Sequence, residues 1–268
     1  LDKEELMRET AIQAAFEASK IIKSNLGKIQ SNEVDLKQKF DFVTHVDRES
    51  EAKIIKVIKS RFPEHKIFAE ESTKDEHGGY RWIIDPLDGT TNFIHAFPVF
   101  AISIALELEG EIILGVVLDP LRDELFVAQK GKGASLNGKP IHVSHTGDLA
   151  VSLLTTGFPF RNKESLDLYL ESFRKLFLQV SGIRRIGCVA LDFCYLASGR
   201  CEGFWEIGLS PWDVAAGYLI IKEAGGMITD FSGGDEAVWT GNVVASNGLI
   251  HEHILKVASE VFAGRINK

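Results

Sequence analysis

The stretch Trp82-Ile83-Ile84-Asp85-Pro86-Leu87-Asp88-Gly89-Thr90-Thr91-Asn92-Phe93 is the point from which the chain is read. An apolar run stops on an acid, and a proline, a second acid, a glycine and two threonines follow: the pattern of a buried strand that delivers carboxylates into a tight turn. Pro86 fixes its own φ and Gly89 admits a backbone that a side chain would forbid, so the turn is rigid and can aim main-chain N–H groups outward. Such a corner suits a hard cation on one side and a phosphate on the other. Two acids near a turn also serve as Asx-turns and helix caps. Carboxylates a few ångströms apart repel by roughly 4 kcal/mol per pair at an effective dielectric near 20, so further acids gathered at this corner imply a metal.

Three other places in the chain offer acids. Residues 66–70 read as a strand ending at Glu70 and Glu71, a pair whose ordinary fate is solvation. The segment Asp41-Phe42-Val43-Thr44-His45-Val46-Asp47 precedes a helix whose apolar stripe is Ile54, Ile55, Ile58 and Phe62, stopped by Pro63. Asp47 reads as the N-cap of that helix, worth about 1 kcal/mol. Ser210-Pro211-Trp212-Asp213 opens another helix, with serine as N-cap, proline at the first position and an acid in the first turn. A first-turn acid stabilises a helix by roughly 0.3–1 kcal/mol through its dipole and needs no metal to do so.

The remaining elements follow from periodicity. Ile12, Ala15, Phe16, Ile22 and Leu26 mark an amphipathic helix that Gly27 ends. Residues 28–39 are polar without an apolar face and are expected to be mobile. Residues 99–106, 112–119 and 125–129 read as strands joined by short turns, hence antiparallel neighbours. Lys130-Gly131-Lys132-Gly133-Ala134 lacks the GxxxxGK[ST] pattern and a following helix, and reads as a turn. A strand over 151–156, a helix through Leu166, Tyr169, Leu170, Phe173, Leu176 and Phe177, a helix ending near Gly199 and a short strand over 203–206 come next. Strands over 227–231 and 243–246 and a helix over 254–262 close the chain. Pattern alone reaches a layered α/β or α+β architecture.

Composition bounds the function. With 268 residues, 45% of them hydrophobic, the chain can bury a large core, and without a long linker it reads as one compact unit. A net charge of −8 and the absence of a Lys/Arg block argue against nucleic acid or an anionic membrane as partner. Cys188, Cys194 and Cys201 fit no zinc-ligand spacing and read as free buried thiols in a reducing, cytoplasmic compartment. The first 27 residues carry charges throughout and read as neither signal peptide nor membrane span.

Phe68-Ala69-Glu70-Glu71-Ser72, the block from Asp85 to Phe93, and Pro211-Trp212-Asp213-Val214-Ala215-Ala216-Gly217 with Glu223-Ala224-Gly225-Gly226 stand in this order over nearly the whole chain. Together they resemble the inositol monophosphatase family of magnesium-dependent, lithium-sensitive sugar-phosphate phosphatases. The resemblance implies an α+β fold, a layered αβαβα sandwich also found in fructose-1,6-bisphosphatases, as a single domain over 1–268. About 1–150 would carry most of the metal ligands, and about 151–268 would complete the site. It implies a homodimer.

For the site, the resemblance implies Glu70, Asp85, Asp88 and Asp213, with the Leu87 carbonyl, as ligands of Mg2+, for which Mn2+ could substitute; oxygen-only donors select such cations over zinc. Thr90 with Asp47 would position and deprotonate the attacking water, Glu70 being counted among the catalytic residues too. Main-chain N–H groups of Gly89 and Thr90 would hold the phosphate. Lys37 matches a loop lysine near the phosphate, with Lys39 as competitor. Glu206 matches the acceptor of substrate hydroxyls, and Arg184 or Arg185 would read a second phosphate or serve the surface. Cys188 and Val189 fall where relatives often carry a small or hydroxylated side chain, a departure that bears on the exact sugar. The implied substrate is a small sugar or inositol phosphate: inositol monophosphate first, then fructose 1,6-bisphosphate or both. A regulatory role through protein contacts, on transcription machinery as in a bacterial relative, is the reading from another class. A haloacid dehalogenase-type phosphatase shares only a superficial DxDGT likeness, spoiled by the extra residue between Asp85 and Asp88.

Overall fold

Side-chain alternation in the central strands sets the layers. In β4 (Tyr80–Asp88) and β5 (Ala101–Leu108), Trp82, Ile84, Ile102, Ile104 and Leu106 point to one face, where they pack with residues of α1 (Lys3–Asn25) and α2 (His45–Arg61). Ile83, Ala101 and Ala105 point to the other face, against α5 (Val189–Ala197) and α6 (Pro211–Glu223). Asp85 shares parity with Ile83, so the pleat alone turns it toward the α5/α6 layer. The α6-facing side chains of β5 are small, and in β6 (Glu111–Asp119) a Cβ on Gly115 would stand 2.6 Å from the Ala216 carbonyl oxygen. The helix therefore lies directly on the sheet.

The structure is a computed structural model describing residues 2–30, 34–38, 41–72, 78–160 and 163–266, with backbone alone for 36–38 and 41. β3 (Lys66–Ala69) runs parallel to β4, and β4, β5, β6, β7 (Glu124–Gln129), β8 (Gly133–Leu136) and β9 (Lys139–Pro140) continue antiparallel to complete a seven-stranded sheet. The second sheet has five strands in the order β11 (Gly182–Arg184), β10 (Leu153–Thr156), β12 (Gly203–Glu206), β14 (Val243–Ser246), β13 (Met227–Asp230). β10 is parallel to both neighbours, and the other two pairings are antiparallel.

Three apolar cores fill the gaps between layers. α1 and α2 cover one face of the large sheet; α5 and α6 lie between the sheets; α4 (Leu166–Phe177) and α8 (His251–Phe262) cover the outer face of the small sheet around Leu154, Trp205 and Val244. The result is the αβαβα order expected from the resemblance. Among the described residues no helix is long and apolar enough to cross a membrane.

Some local expectations change. Residues 34–38 of the segment expected to be mobile form β1 (Val34–Gln38), paired antiparallel with β2 (Asp41–Thr44); backbone pairing needs no apolar face. Phe16 is 42% exposed, and α1 instead packs through Ala11, Ala14, Ala15, Ala18 and Ile22, which let it approach its neighbours closely. Asp47 is not the N-cap of α2. Thr44 is, and Asp47 occupies the third helical position of a capping box, its Oδ2 accepting from the Thr44 N–H at 2.8 Å. The thiols of Cys188, Cys194 and Cys201 are free and buried, as read from their spacing.

Candidate active site

The end of β4 builds one wall of the site. Asp85 Oδ1 accepts from the Leu87 N–H at 2.9 Å, an Asx-turn across Pro86 that fixes the first carboxylate. The chain then turns through Gly89 at φ +96° into the short helix α3 (Thr90–Ile94). Only glycine suits that corner, because a Cβ there would also stand 3.0 Å from the Val99 carbonyl oxygen and 3.2 Å from Phe100 Cβ. Parity on β12 delivers a carboxylate from the opposite sheet. Phe204 faces the middle layer and Trp205 the outer one, so Glu206 faces the middle layer again. Asp213 comes from the first turn of α6, its Oδ2 accepting from the Ser210 N–H at 2.8 Å.

These walls enclose a cavity of about 420 Å³, within the ordinary range for small-ligand sites. Glu70, Asp85, Leu87, Asp88, Gly89, Thr90, Glu206 and Asp213 all line it. The structure thus brings together acids from four separated segments. Asp85, Asp88, Glu206 and Asp213 are each less than a tenth exposed. Burial, then the charges of Glu70, Asp88 and Asp213, push the Asp85 carboxyl well above its usual range. Burial likewise raises Glu206, with Asp192 and Asp213 adding to it.

A mutually repelling set of oxygen donors fits a hard divalent cation, and one oxygen of Asp85, Asp88 and Asp213 is already oriented by a backbone N–H. The donors do not stand in a closed cage: among the described residues no three His, Cys, Asp or Glu side chains are near enough to hold an ion between them. The fit lies in donor chemistry and in convergence on one cavity rather than in a closed shell.

Beside the acids, Thr90 Oγ1 lies 2.9 Å from Asp47 Oδ1 and 3.1 Å from the Leu87 carbonyl oxygen, and its single proton serves one of them at a time. Thr44 holds Asp47 from behind, its Oγ1 donating to Oδ2 at 2.7 Å. Asp47 is wholly buried, and burial raises its carboxyl against the opposing hydrogen bonds from Thr44 and Thr90. The third-position acid of the α2 capping box is therefore also the partner of Thr90.

Not every expected residue joins the cavity. Arg184 is exposed, its Nη1 donating to the Ile183 carbonyl oxygen at 3.1 Å, and it does not line the site; Arg185 does. Arg184 is the last residue of the edge strand β11 and Arg185 follows it, both exposed, and of the two it is Arg185 that lies against the cavity. Lys37 lies in β1 with its side chain outside what is described, and Lys39 lies outside the described residues. Glu71 stays beside the site, its N–H donating to Glu51 Oε2 at 2.8 Å.

Gly157 and Asp192 line the cavity without a marker in the sequence, and Asn92, within the block from Asp85 to Phe93, has no role that the sequence marks. Gly157 backs directly onto Glu206: a Cβ there would fall 2.0 Å from Glu206 Oε1. Asp192, on α5, is buried beneath the cavity floor, and its Oδ1, like Glu206 Oε2, has no hydrogen-bond partner among the described residues. Asn92 Nδ2 donates to the carbonyl oxygens of Val99 at 2.8 Å and Ile186 at 2.9 Å, tying the turn after β4 to the second half of the chain.

Known proteins share this arrangement of chain. Nus factor SuhB of Salmonella typhimurium strain LT2 is 46% identical over 253 residues, covering 93% of this chain and 94% of that protein. Nus factor SuhB of Escherichia coli strain K12 is 46% identical over 251 residues, with the same coverage. Among solved structures, the extragenic suppressor protein suhB of Bartonella henselae superposes with a TM-score of 0.90 at 39% identity, covering 95% of this chain and 99% of that one. Inositol monophosphatase from Anabaena superposes at 0.87 and 38% identity, covering 97% and 98%. A sequence profile described as the inositol monophosphatase family matches residues 3–263, and with relatives of this identity and coverage the chain belongs to that family.

Proposed function

We propose that the protein hydrolyses phosphate monoesters of small polyols, inositol monophosphate foremost, with Mg2+ as the resident cation and Mn2+ able to replace it. The observation that carries this reading is the convergence of Glu70, Asp85, Asp88 and Asp213 on one cavity beside the Thr90–Asp47 pair. Bound divalent cations supply the positive charge that makes a water acidic and offsets that of the phosphate. The Leu87 carbonyl joins the four acids in holding them. Thr90 Oγ1 accepts a hydrogen bond from the attacking water while passing its own proton toward Asp47 Oδ1, so the pair acts as one base. Thr44 keeps the Asp47 carboxylate aimed during that transfer. Main-chain N–H groups at Gly89 and Thr90 hold phosphate oxygens, and Glu206 accepts from a substrate hydroxyl, discriminating polyols from apolar phosphates.

Phosphate release from inositol monophosphate, with and without Mg2+ and lithium, tests the reading. Mg2+-dependent turnover that Asp88→Asn abolishes is expected; a full panel of sugar phosphates left intact would overturn it. Fructose 1,6-bisphosphate is the second substrate in that panel. A regulatory role through protein contacts is kept as a second reading because relatives 46% identical bear the name Nus factor. Loss of turnover in Asp88→Asn with retained partner capture would separate the two. A homodimer is proposed on the family resemblance.

A further inference from the structure

Arg81 lies on β4 with the parity of Ile83 and Asp85, so it faces the middle layer, and it is only 2% exposed. Glu107 of β5 answers its charge. One oxygen of that carboxylate lies 2.9 Å from Arg81 Nε and 2.6 Å from Nη2, while the other accepts from the Gly110 N–H at 3.0 Å. The guanidinium is thereby fixed in the frame of the large sheet. Its carbon stands 5.3 Å from the Phe68 ring centroid and 5.0 Å from that of Trp239, which belongs to the four-residue helix α7 (Ala237–Thr240). Trp239 is 41% exposed, so a buried cation of the first half of the chain is met by a half-exposed ring from the second half. Such a pair attracts more strongly when the cation is desolvated.

Two routes lead from this contact to the cavity. The helix α7 ends at Gly241, whose carbonyl oxygen accepts from the Leu209 N–H at 2.9 Å, and Asn242 Oδ1 accepts from the Gly208 N–H at 3.3 Å. The seat is close: with Gly241 at φ +65°, a Cβ there would stand 2.0 Å from the Leu209 carbonyl oxygen. Ile207, Gly208 and Leu209 line the cavity, and the next residue, Ser210, caps α6 and donates its N–H to Asp213 Oδ2. The second route runs through Phe68, whose ring packs edge to face on Trp212 with centroids 5.3 Å apart, and Trp212 precedes Asp213 in the chain. The segment 207–213 is thus tied near both of its ends to groups that meet at Arg81.

We propose that Trp239, by seating α7 on Arg81, is a positioning residue that sets the cavity wall at Gly208 and Leu209 and, through Ser210, the Asp213 carboxylate. Trp239 does not itself line the cavity. The proposal rests on the cation-dependent phosphomonoesterase reading and adds to it a residue outside the site. A tryptophan that only covered the core would contribute to stability alone.

The variants Trp239→Ala, Trp239→Phe and Trp239→Leu separate the two roles. In Trp239→Ala, amide hydrogen exchange at Gly208 and Leu209 is expected to speed up about tenfold, and Mg2+ binding measured by calorimetry to weaken about three- to tenfold. KM for inositol monophosphate should rise by a similar factor, with kcat changing less. Trp239→Phe keeps a ring over the guanidinium and should recover most of each effect, whereas Trp239→Leu keeps apolar cover without a π face and should not. A lowered melting temperature in Trp239→Ala with wild-type exchange, Mg2+ affinity and KM would overturn the proposal, as would full recovery in Trp239→Leu. If Trp239→Ala does not fold, the contrast between Trp239→Phe and Trp239→Leu decides by the same readouts. Faster exchange and weaker Mg2+ binding in Trp239→Ala, in a protein whose wild type turns over no phosphate monoester, would leave the positioning role standing and remove the hydrolytic reading.

Discussion

Asp88 Oδ2 receives two donors from the start of α5, the Ala190 N–H at 2.7 Å and the Cys188 thiol at 3.2 Å. Burial, and then the charge of Asp88, raise the Cys188 thiol well above its usual range, so it stays protonated and remains a donor at neutral pH. Asp88 leaves β4 in the first half of the chain, and its orientation is set by residues a hundred positions later. Groups that orient a metal-binding carboxylate typically change metal affinity ten- to a hundredfold when removed. Cys188→Val, close in size and without a donor, is therefore expected to raise the Mg2+ concentration for half-maximal activity by about that factor, while Cys188→Ser leaves it near the wild-type value. A Mg2+ titration of turnover checks both. Residue-level legibility followed locality. Asp85, Asp88 and Gly89 could be picked out because a turn surrounds each in the sequence, whereas Asp213 read locally only as a first-turn acid and was marked for the site by the resemblance. Gly157, Asp192 and the choice of Arg185 over Arg184 depend on what faces them across the cavity, and nothing beside them in the chain encodes that.

At the scale of elements, the junction of α2, β3 and β4 is closed by aromatic stacking around one imidazole. His65 lies between Phe62 and Tyr80, with ring centroids at 4.5 and 4.6 Å, and its Nδ1 accepts from Trp82 Nε1 at 3.1 Å. A proton on Nδ1 would break that bond. Burial, assisted by the nearby charges of Lys3 and Lys59, lowers its pKa to about 4 from an ordinary 6.5. Below pH 6.5 the unfolded chain takes up a proton that the folded chain refuses until about pH 4, so stability falls as pH drops through that window. His65→Gln is expected to flatten the acid side of a plot of unfolding free energy against pH, by up to about one proton near pH 5, and urea titrations at pH 7.5, 6 and 5 would register it. Elements themselves were legible where a periodic apolar face or a capping pattern marks them, as in β5, β6 and α6. They were hidden where backbone pairing alone holds them, as in β1, or where an element is as short as β11 or α7 (Ala237–Thr240).

For the whole molecule, the acid cluster joins layers that elsewhere touch mainly through apolar contacts. Asp85 and Asp88 belong to the seven-stranded sheet, Asp213 to the middle helical layer and Glu206 to the five-stranded sheet. Without cations their repulsion opposes closure of the fold, and cations binding only the folded state stabilise it by mass action, about 2.7 kcal/mol at a hundredfold excess over Kd. Thermal unfolding should accordingly rise by several degrees with millimolar Mg2+. Asp85→Asn keeps the acceptor for the Leu87 N–H while removing a charge, so it should melt higher than the wild type in EDTA and lose the Mg2+-dependent rise. A wild-type midpoint indifferent to Mg2+ would count against cation binding at this cluster.

The seat of α6 on the large sheet has a bearing on drift of the sequence. Ala101 and Ala105 present little more than methyl groups to the middle layer, and Gly115 leaves no room for a Cβ beside the Ala216 carbonyl. Interlayer thickness is thus fixed by the smallest side chains in the sheet, and α6 carries Asp213 at its first turn. A single added methylene beneath that helix, far from any substrate, would raise the whole rod and displace one carboxylate relative to its three counterparts. Alanines and a glycine with no chemistry of their own thereby act as spacers that calibrate the reaction centre.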